Sequence, residues 1–385
     1  MFEFTVLPPL SLYVHFPWCV RKCPYCDFNS HALRGVIPEE QYIDALLADL
    51  ESDLPRVWGR PVRSIFLGGG TPSLFSPEAI EHLLASVRAR VVLAPDAEIT
   101  LEANPGTVET ERFRSYRAAG VNRLSIGIQS FQPEQLKKLG RIHGRDEALA
   151  AAQAARAAGF DNFNLDLMFG LPQQALDEAL TDLRTALALQ PTHLSVYQLT
   201  LEPNTLFHAQ PPALPDEDVL AAMQEALQVE LENAGFAQYE VSAYARAGRR
   251  CRHNLNYWQF GDYLGIGAGA HAKITDAGGV TRLWKVKQPR DYLETAGTPA
   301  GLGGEQQLGK DDVVFEFMLN ALRLTEGVPA TLFSERTGLD PFYMQKPLNQ
   351  AMARGLLETG QEHIRPTPLG RRFLNELVAL FLPEA

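Results

Sequence analysis

The sequence predicts an α/β protein: a partial barrel of six strand-and-helix units, followed by a small, mainly helical, winged-helix-like C-terminal domain. Three observations carry that expectation. Short β-rich runs alternate with amphipathic stretches over residues 11 to about 235. The alternation stops after six units, short of the roughly 250 residues that a closed eight-unit barrel occupies. Beyond a stretch rich in Gly, Pro and Gln at 286–310, the chain returns to helical periodicity.

The β-rich runs fall at 11–17 (SLYVHFP), 64–69 (SIFLGG), 99–104 (ITLEAN), 123–129 (RLSIGIQ), 163–169 (FNLDLMF) and 193–200 (HLSVYQLT). Between them, Glu39 to Leu54, Pro77 to Arg90, Asp146 to Ala158 and Leu176 to Leu189 repeat apolar residues at spacings of three and four, and proline or serine opens several of them. An open doubly wound sheet satisfies the same alternation, and either arrangement gathers ligands at the C-terminal ends of the strands. The expected organisation is a core over 1–235, an extension over 236–285, a linker over 286–310 and a C-terminal domain over 311–385. In that last domain Asp311 to Leu324, Pro341 to Ala353 and Leu369 to Leu380 read as helices, with short strands near Leu356 and Ile364.

Composition narrows the function. With 45% hydrophobic and 21% charged residues the chain is globular in character, and 35 basic against 46 acidic residues give a net charge of −11. That balance opposes a general nucleic-acid binder, and residues 311–385 hold 10 acidic against 7 basic residues, leaving no basic footprint for a DNA-reading winged helix. No basic, apolar leader opens the chain and no apolar run approaches the ~20 residues of a membrane span, so a cytoplasmic protein with at most peripheral membrane contact is expected.

Four cysteines are too few for a disulfide scaffold, yet Cys19, Cys23 and Cys26 crowd into HFPWCVRKCPYCDFNSH while Cys251 stands alone. A structural zinc site would need a fourth ligand, for which His15 and His31 are the nearby candidates. The spacing Cys-x3-Cys-x2-Cys can instead hold three irons of a four-iron, four-sulfur cluster, leaving one iron open. Polar residues collect at the strand ends: Gly68, Gly69, Gly70 and Thr71 after the second strand, Glu102 and Asn104 at the third and Gln129 at the fourth. Asp166 lies within the fifth, and Arg141 follows the fourth. Absent Cβ atoms let backbone amides approach a ligand, and carboxylates in apolar strands need a partner.

Tyr13 six positions before Cys19, Tyr25 before the last cysteine of the loop, GGGTP at 68–72, LEANP at 101–105, SIGIQSF at 125–131 and NLDLMFGLP at 164–172 together resemble the HemN/HemW branch of the radical S-adenosylmethionine (radical SAM) proteins. The likeness spans nearly the whole chain. It implies a TIM-like partial (β/α)6 radical SAM barrel and a [4Fe-4S] cluster on Cys19, Cys23 and Cys26. The open iron would be chelated by S-adenosylmethionine, whose reductive cleavage yields methionine and a deoxyadenosyl radical. Tyr13, Gly69 and Glu102 resemble contacts to that cofactor. Gly70, Thr71, Gln129, Arg141 and Asp166 resemble those of a second S-adenosylmethionine, with Tyr25 beside the cluster.

Two kinds of member must be separated. The oxygen-independent coproporphyrinogen III dehydrogenases carry a further cysteine where this chain has Phe28, and a longer segment before the tyrosine than the twelve residues here. The haem-chaperone members carry the signature HNxxYW, matched by His253, Asn254, Leu255, Asn256, Tyr257 and Trp258. The resemblance therefore implies haem as cargo, handled by His253, Asn254, Tyr257 and Trp258, and delivered to acceptor haemoproteins. An electron donor such as a flavodoxin or ferredoxin is implied, and a haem-linked dimer is compatible. S-adenosylmethionine cleavage is expected without coproporphyrinogen dehydrogenase activity. An imidazole is an ordinary haem ligand and Tyr and Trp offer flat apolar area, although a histidine among aromatics also serves as a packing residue. Cys251 reads as a small buried residue, and GIGAGAHA at 265–272 as a tight turn with His271 a weaker site candidate.

Overall fold

The computed structural model describes residues 2–106, 110–360 and 362–383. In chain order the elements are β1 (Leu10–Phe16), β2 (Trp18–Cys19), β3 (His31–Ala32), α1 (Glu39–Asp53), β4 (Val62–Gly69), α2 (Pro77–Arg90), β5 (Leu93–Ala103), α3 (Thr110–Ala119) and β6 (Arg123–Gln129). There follow α4 (Pro133–Lys138), α5 (Arg145–Ala157), β7 (Phe163–Phe169), α6 (Leu176–Ala188), β8 (His193–Gln198), α7 (Leu206–Ala209), α8 (Glu217–Asn233), β9 (Ala237–Gln238), β10 (Ala243–Ala245) and α9 (Arg252–Trp258). The remainder comprises β11 (Asp262–Ile266), β12 (His271–Asp276), β13 (Gly279–Lys285), α10 (Pro289–Thr295), β14 (Leu302–Gln307), α11 (Lys310–Ala321), β15 (Val328–Pro329), α12 (Thr331–Thr337), α13 (Phe342–Ala353), β16 (His363–Ile364), α14 (Pro368–Arg372) and α15 (Leu374–Ala379).

The six expected strands pair in parallel in the order β1-β4-β5-β6-β7-β8, as the apolar runs predict. Leu101, Leu124, Ile126, Leu165 and Leu194 pack into one core with Leu83, Phe113, Ala152 and Leu183 of the covering helices. Helix starts are capped locally: Ser76 accepts from the Ala79 amide at 3.2 Å, and Glu178 accepts from the Ala175 amide at 2.8 Å.

The sheet is wider than six strands. β11 joins β1 in parallel, β12, β13 and β14 continue it antiparallel, and β10 and β9 extend the other side, so the sheet stays open between β14 and β9. The expected linker over 286–310 is corrected by this: it contains α10 and the edge strand β14. Its glycines are what allow the pairing, because a Cβ at Gly304 would lie 2.1 Å from the Trp284 ring of β13. The C-terminal domain has its own core around Phe317, Phe333, Met318 and Leu377, and β15 pairs with β16 beside α13, giving the winged-helix-like arrangement.

Period-2 alternation puts the second face of the parallel strands into the barrel interior. That interior is polar, unlike the branched apolar layers of a filled barrel. Ser11 meets Ser64 at 2.8 Å, Asn164 donates to Ser125 and to Asp166 at 2.8 Å each, and His193 is 2.7 Å from Asn164 Oδ1. Arg123 is 2% exposed and its Nε has no partner among the described residues. Such groups are costly to bury, so the lumen is maintained for something other than stability.

Candidate functional site

The three-cysteine loop leaves β1 at Phe16 and is pinned at both ends by short backbone pairing. Trp18 and Cys19 pair with His31 and Ala32, while the Gly70 and Thr71 amides donate to the Phe16 and Trp18 carbonyls at 2.6 and 2.8 Å. The loop is thereby folded over the glycine turn that ends β4. Gly70 has no room for a side chain, since a Cβ there would sit 2.6 Å from the Trp18 carbonyl, and Gly69 has φ +111° with His15 packed beneath it.

One pocket of about 940 Å3, counted to its open mouth, gathers Cys19, Cys23, Cys26, Tyr25, Gly69, Gly70, Thr71, Glu102, Gln129, Arg141 and Asp166. All are expected site residues; they lie at or beyond the C-terminal ends of the strands, apart from Asp166 in the middle of β7. Thr71 Oγ1 donates to Cys19 Sγ at 3.5 Å and accepts from Asn104 Nδ2 at 2.8 Å. Arg141 Nη2 donates to Asn104 Oδ1 at 2.6 Å and to the Gly127 carbonyl at 2.7 Å, and its Nη1 lies 3.7 Å from Cys23 Sγ. Its buried Nε has no partner among the described residues.

The residues fit a cluster and a polar cofactor. Three cysteine thiols line the pocket together, a donor set that suits a cluster with one open iron. Burial pushes the Cys19 thiol up, partly offset by the Thr71 hydroxyl. Gln129 adopts φ +68°, outside the usual range for a residue with a side chain, where the β6–β7 register slips between Gly127 and Gln129. Strain of that kind persists at ligand sites because the surroundings enforce it.

Burial pushes the Glu102 carboxyl up to about 8 from 4.5; Asp166 adds to the rise and the Gly69 amide, 3.0 Å away, opposes it. Asp166 is also raised by burial, against hydrogen bonds from Asn164 and Ser195. A carboxyl raised on folding holds its proton more tightly in the native state, so stability falls as pH climbs from its unfolded to its folded pKa. Buried His15 and His253, lowered to about 4 and about 3, act the other way, but only below ~6.5. The ligand-free protein is therefore expected to lose melting temperature between ~6.5 and 8 in pH, and Glu102→Gln to flatten that loss. An unaltered slope in the variant would show Glu102 ionised throughout.

Tyr13 stands apart from the pocket lining. Its hydroxyl is 2.9 Å from His15 Nδ1, and His15 Nε2 is 2.9 Å from the Asn29 carbonyl, so it reaches the glycine turn through His15. His15, Asn29 and Ser125 lie within the quoted motifs but were not singled out as cofactor-binding residues; their roles come from strand register and loop closure. The GIGAGAHA turn backs onto them, with a Cβ at Gly267 lying 2.4 Å from the His15 carbonyl. His271 stacks on Trp284, outside the pocket.

The HNLNYW stretch forms α9 and lies at the opposite, N-terminal end of the barrel, where it closes the floor. His253 is 1% exposed, with Nδ1 3.0 Å from Ser64 Oγ and Nε2 3.0 Å from the Tyr257 hydroxyl. Both ring nitrogens are thus engaged, and this arrangement presents none to a haem iron. Cys251 is fully buried 3.5 Å from Glu98 Oε1, its thiol pushed by burial to about 12, in keeping with the small-residue reading. Asn254 is half-buried in the first turn of α9. Tyr257 and Trp258 line a cavity of about 470 Å3, where Trp258 Nε1 is buried without a partner among the described residues and Arg323 lies 4.3 Å over the indole.

Residues 13–186 match the radical SAM superfamily, and residues 308–373 match the HemN C-terminal domain. Over 379 residues the chain is 53% identical to the haem chaperone HemW of Escherichia coli (strain K12), covering 98% of this chain and 99% of that one. The chain belongs to the HemW family. Its likeness reaches a mouse mitochondrial protein named radical S-adenosyl methionine domain-containing protein 1, at 39% identity with 97% of this chain and 87% of that protein covered. The coproporphyrinogen III oxidase HemN of Escherichia coli, described as a radical SAM enzyme, superposes with a TM-score of 0.82 at 25% identity, covering 97% of this chain and 90% of that one. The HemW family thus keeps the barrel and cap of HemN, with cluster and S-adenosylmethionine as the cofactors its superfamily implies. Among the described residues no helix is long and apolar enough to cross a membrane.

Proposed function

We propose that this protein is a haem chaperone that binds a [4Fe-4S] cluster, S-adenosylmethionine and haem, and passes haem to acceptor haemoproteins in the cytoplasm. Full-length similarity to a protein named heme chaperone HemW carries the reading. Cys19, Cys23 and Cys26 would hold the cluster, which when bound would supply one-electron chemistry to S-adenosylmethionine, with an external donor such as a flavodoxin or ferredoxin as the source of the electron. Glu102 and the Gly69 amide suit the hydroxyls and polar head of S-adenosylmethionine. Gly70, Thr71, Gln129, Arg141 and Asp166 continue the same wall, so a second cofactor molecule would lie against them, with its carboxylate at Arg141. Tyr13 acts from behind by fixing His15, and Tyr25 shields the cluster side of the pocket.

The HNLNYW helix would serve haem handling as a unit. Its histidine ties α9 to the barrel floor, while Tyr257 and Trp258 offer aromatic surface to the adjoining cavity. Phe28, 62% exposed at the mouth of the cluster pocket, supports a chaperone over a dehydrogenase, since the latter carries a cysteine there.

The rival reading, a coproporphyrinogen III dehydrogenase, rests on the superposition with HemN. The two separate in one anaerobic experiment on the reconstituted protein with dithionite and S-adenosylmethionine. Haem-loaded protein is expected to activate an apo-haemoprotein, while coproporphyrinogen III is recovered unchanged. Conversion to protoporphyrinogen IX at enzymatic rates, without haem transfer, would replace the chaperone with the enzyme.

A further inference from the structure

A chaperone must hold haem where an acceptor can reach it. The cluster pocket is committed to the cluster and its cofactor, and the cavity beside α9 is a third the size of the cleft in the C-terminal domain, about 470 against about 1410 Å3. This cleft lies between α13 and β16. Met344, Leu348 and Met352 recur at four-residue spacing on α13 and form one wall as a stripe along the helix. The facing side carries Leu357, His363 and Arg365.

We infer that the cleft between α13 and β16 is a haem-binding site, with His363 as the iron ligand; the inference rests on the chaperone reading. Methionine side chains are flexible and make favourable sulfur–aromatic contacts, so a Met–Leu–Met wall grips a flat π-system without a rigid mould and can release it. His363 is exposed, and its imidazole makes no hydrogen bond among the described residues, in contrast to His253. Imidazole is a common axial ligand, and methionine serves as a sixth ligand in electron-transfer haem proteins.

One cation on the rim is placed to meet a propionate. Arg365 lies 3.5 Å from Glu358 Oε1 and donates to the Thr325 carbonyl at 3.3 Å, with its side chain 46% exposed. That surface pair is weakly held, so a propionate can compete for the guanidinium. Asp340 and Glu358 also border the cleft, so an anionic group is favoured only at the Arg365 end of the rim. Phe342, 75% exposed at the first turn of α13, supplies aromatic area at the mouth.

The test is haem titration of the full-length, cluster-reconstituted protein, followed by the Soret band and by transfer to an apo-haemoprotein. His363→Gly is expected to shift the Soret maximum and weaken binding by about tenfold. Added imidazole should restore the wild-type spectrum, which a merely structural role would not allow. Leu348→Arg, which fills the cleft, is expected to weaken binding by about tenfold or more while the iron–sulfur absorption stays unchanged. If both variants titrate as wild type does, haem sits elsewhere and the inference fails while the chaperone reading stands. If Leu348→Arg spares haem affinity but abolishes transfer, the cleft receives the acceptor protein and is not the haem site. A wild-type protein that binds no haem would overturn both.

Discussion

Cys23→Ala, reconstituted anaerobically with iron and sulfide, is expected to lose nearly all of the broad absorption and bound iron that the wild type acquires. A [4Fe-4S] cluster with one open iron has three protein thiolates, and removing one leaves two corners unheld. Its neighbour Arg141, whose Nη1 lies 3.7 Å from the sulfur, donates and cannot ligate in its place. The fold should survive, because Cys23 is half-buried in a loop outside the apolar cores. Far-ultraviolet circular dichroism should therefore match the wild type, separating cluster loss from misfolding. Wild-type-like iron content in the variant would remove Cys23 from the ligand set. Stoichiometric zinc in the wild type, with no cluster on reconstitution, would revive the structural-metal alternative.

Lys285→Met is expected to destabilise the protein by about 3–5 kcal/mol, because it strands two buried carboxylates. Lys285 is 4% exposed on β13, with Nζ 2.5 Å from Asp49 Oδ1 and 2.7 Å from Asp53 Oδ2, both on α1. Asp49 also accepts from the Tyr292 hydroxyl at 2.6 Å and the Gly267 amide at 3.2 Å, so this cation ties the sheet extension to the first barrel helix. Burial already pushes Asp49 up against the pull of Lys285. Without the lysine, the carboxyls must take up protons, and part of the loss should be recovered on acidification. Urea denaturation at neutral and mildly acidic pH reads both effects. A shift below about 1 kcal/mol at neutral pH would mean the carboxylates are compensated by other groups.

The parallel strands were legible because each is a dense apolar run bounded by turn residues, and the cluster pocket because its residues sit at strand ends in short motifs. β14 was not legible: its LGGEQQ has neither apolar alternation nor β-branched residues, and it pairs because Gly303 and Gly304 leave room for the Trp284 ring. β11 was missed for a related reason, since a strand inserted beside β1 from far downstream has no strand-and-helix unit to announce it. His15 was considered as a zinc ligand, but its place under Gly69 depends on register between β1 and β4, which no local pattern encodes. The HNLNYW motif was recognised while its location was not, because sequence spacing does not say at which end of a barrel a connecting helix crosses.

The position of that helix has an electrical consequence. Ser64, which holds His253, and Gly69, at the cluster pocket, are five residues apart on β4, roughly 17 Å at ~3.3 Å per residue. The medium between them is a column of fixed hydroxyls, amides and imidazoles, shielded from bulk ions by the helices around the barrel. At an effective dielectric constant of ~20, one unit of charge at that distance is worth about 1 kcal/mol. A unit of charge bound at the mouth would change the potential at the floor by an amount that alters a one-charge equilibrium there severalfold.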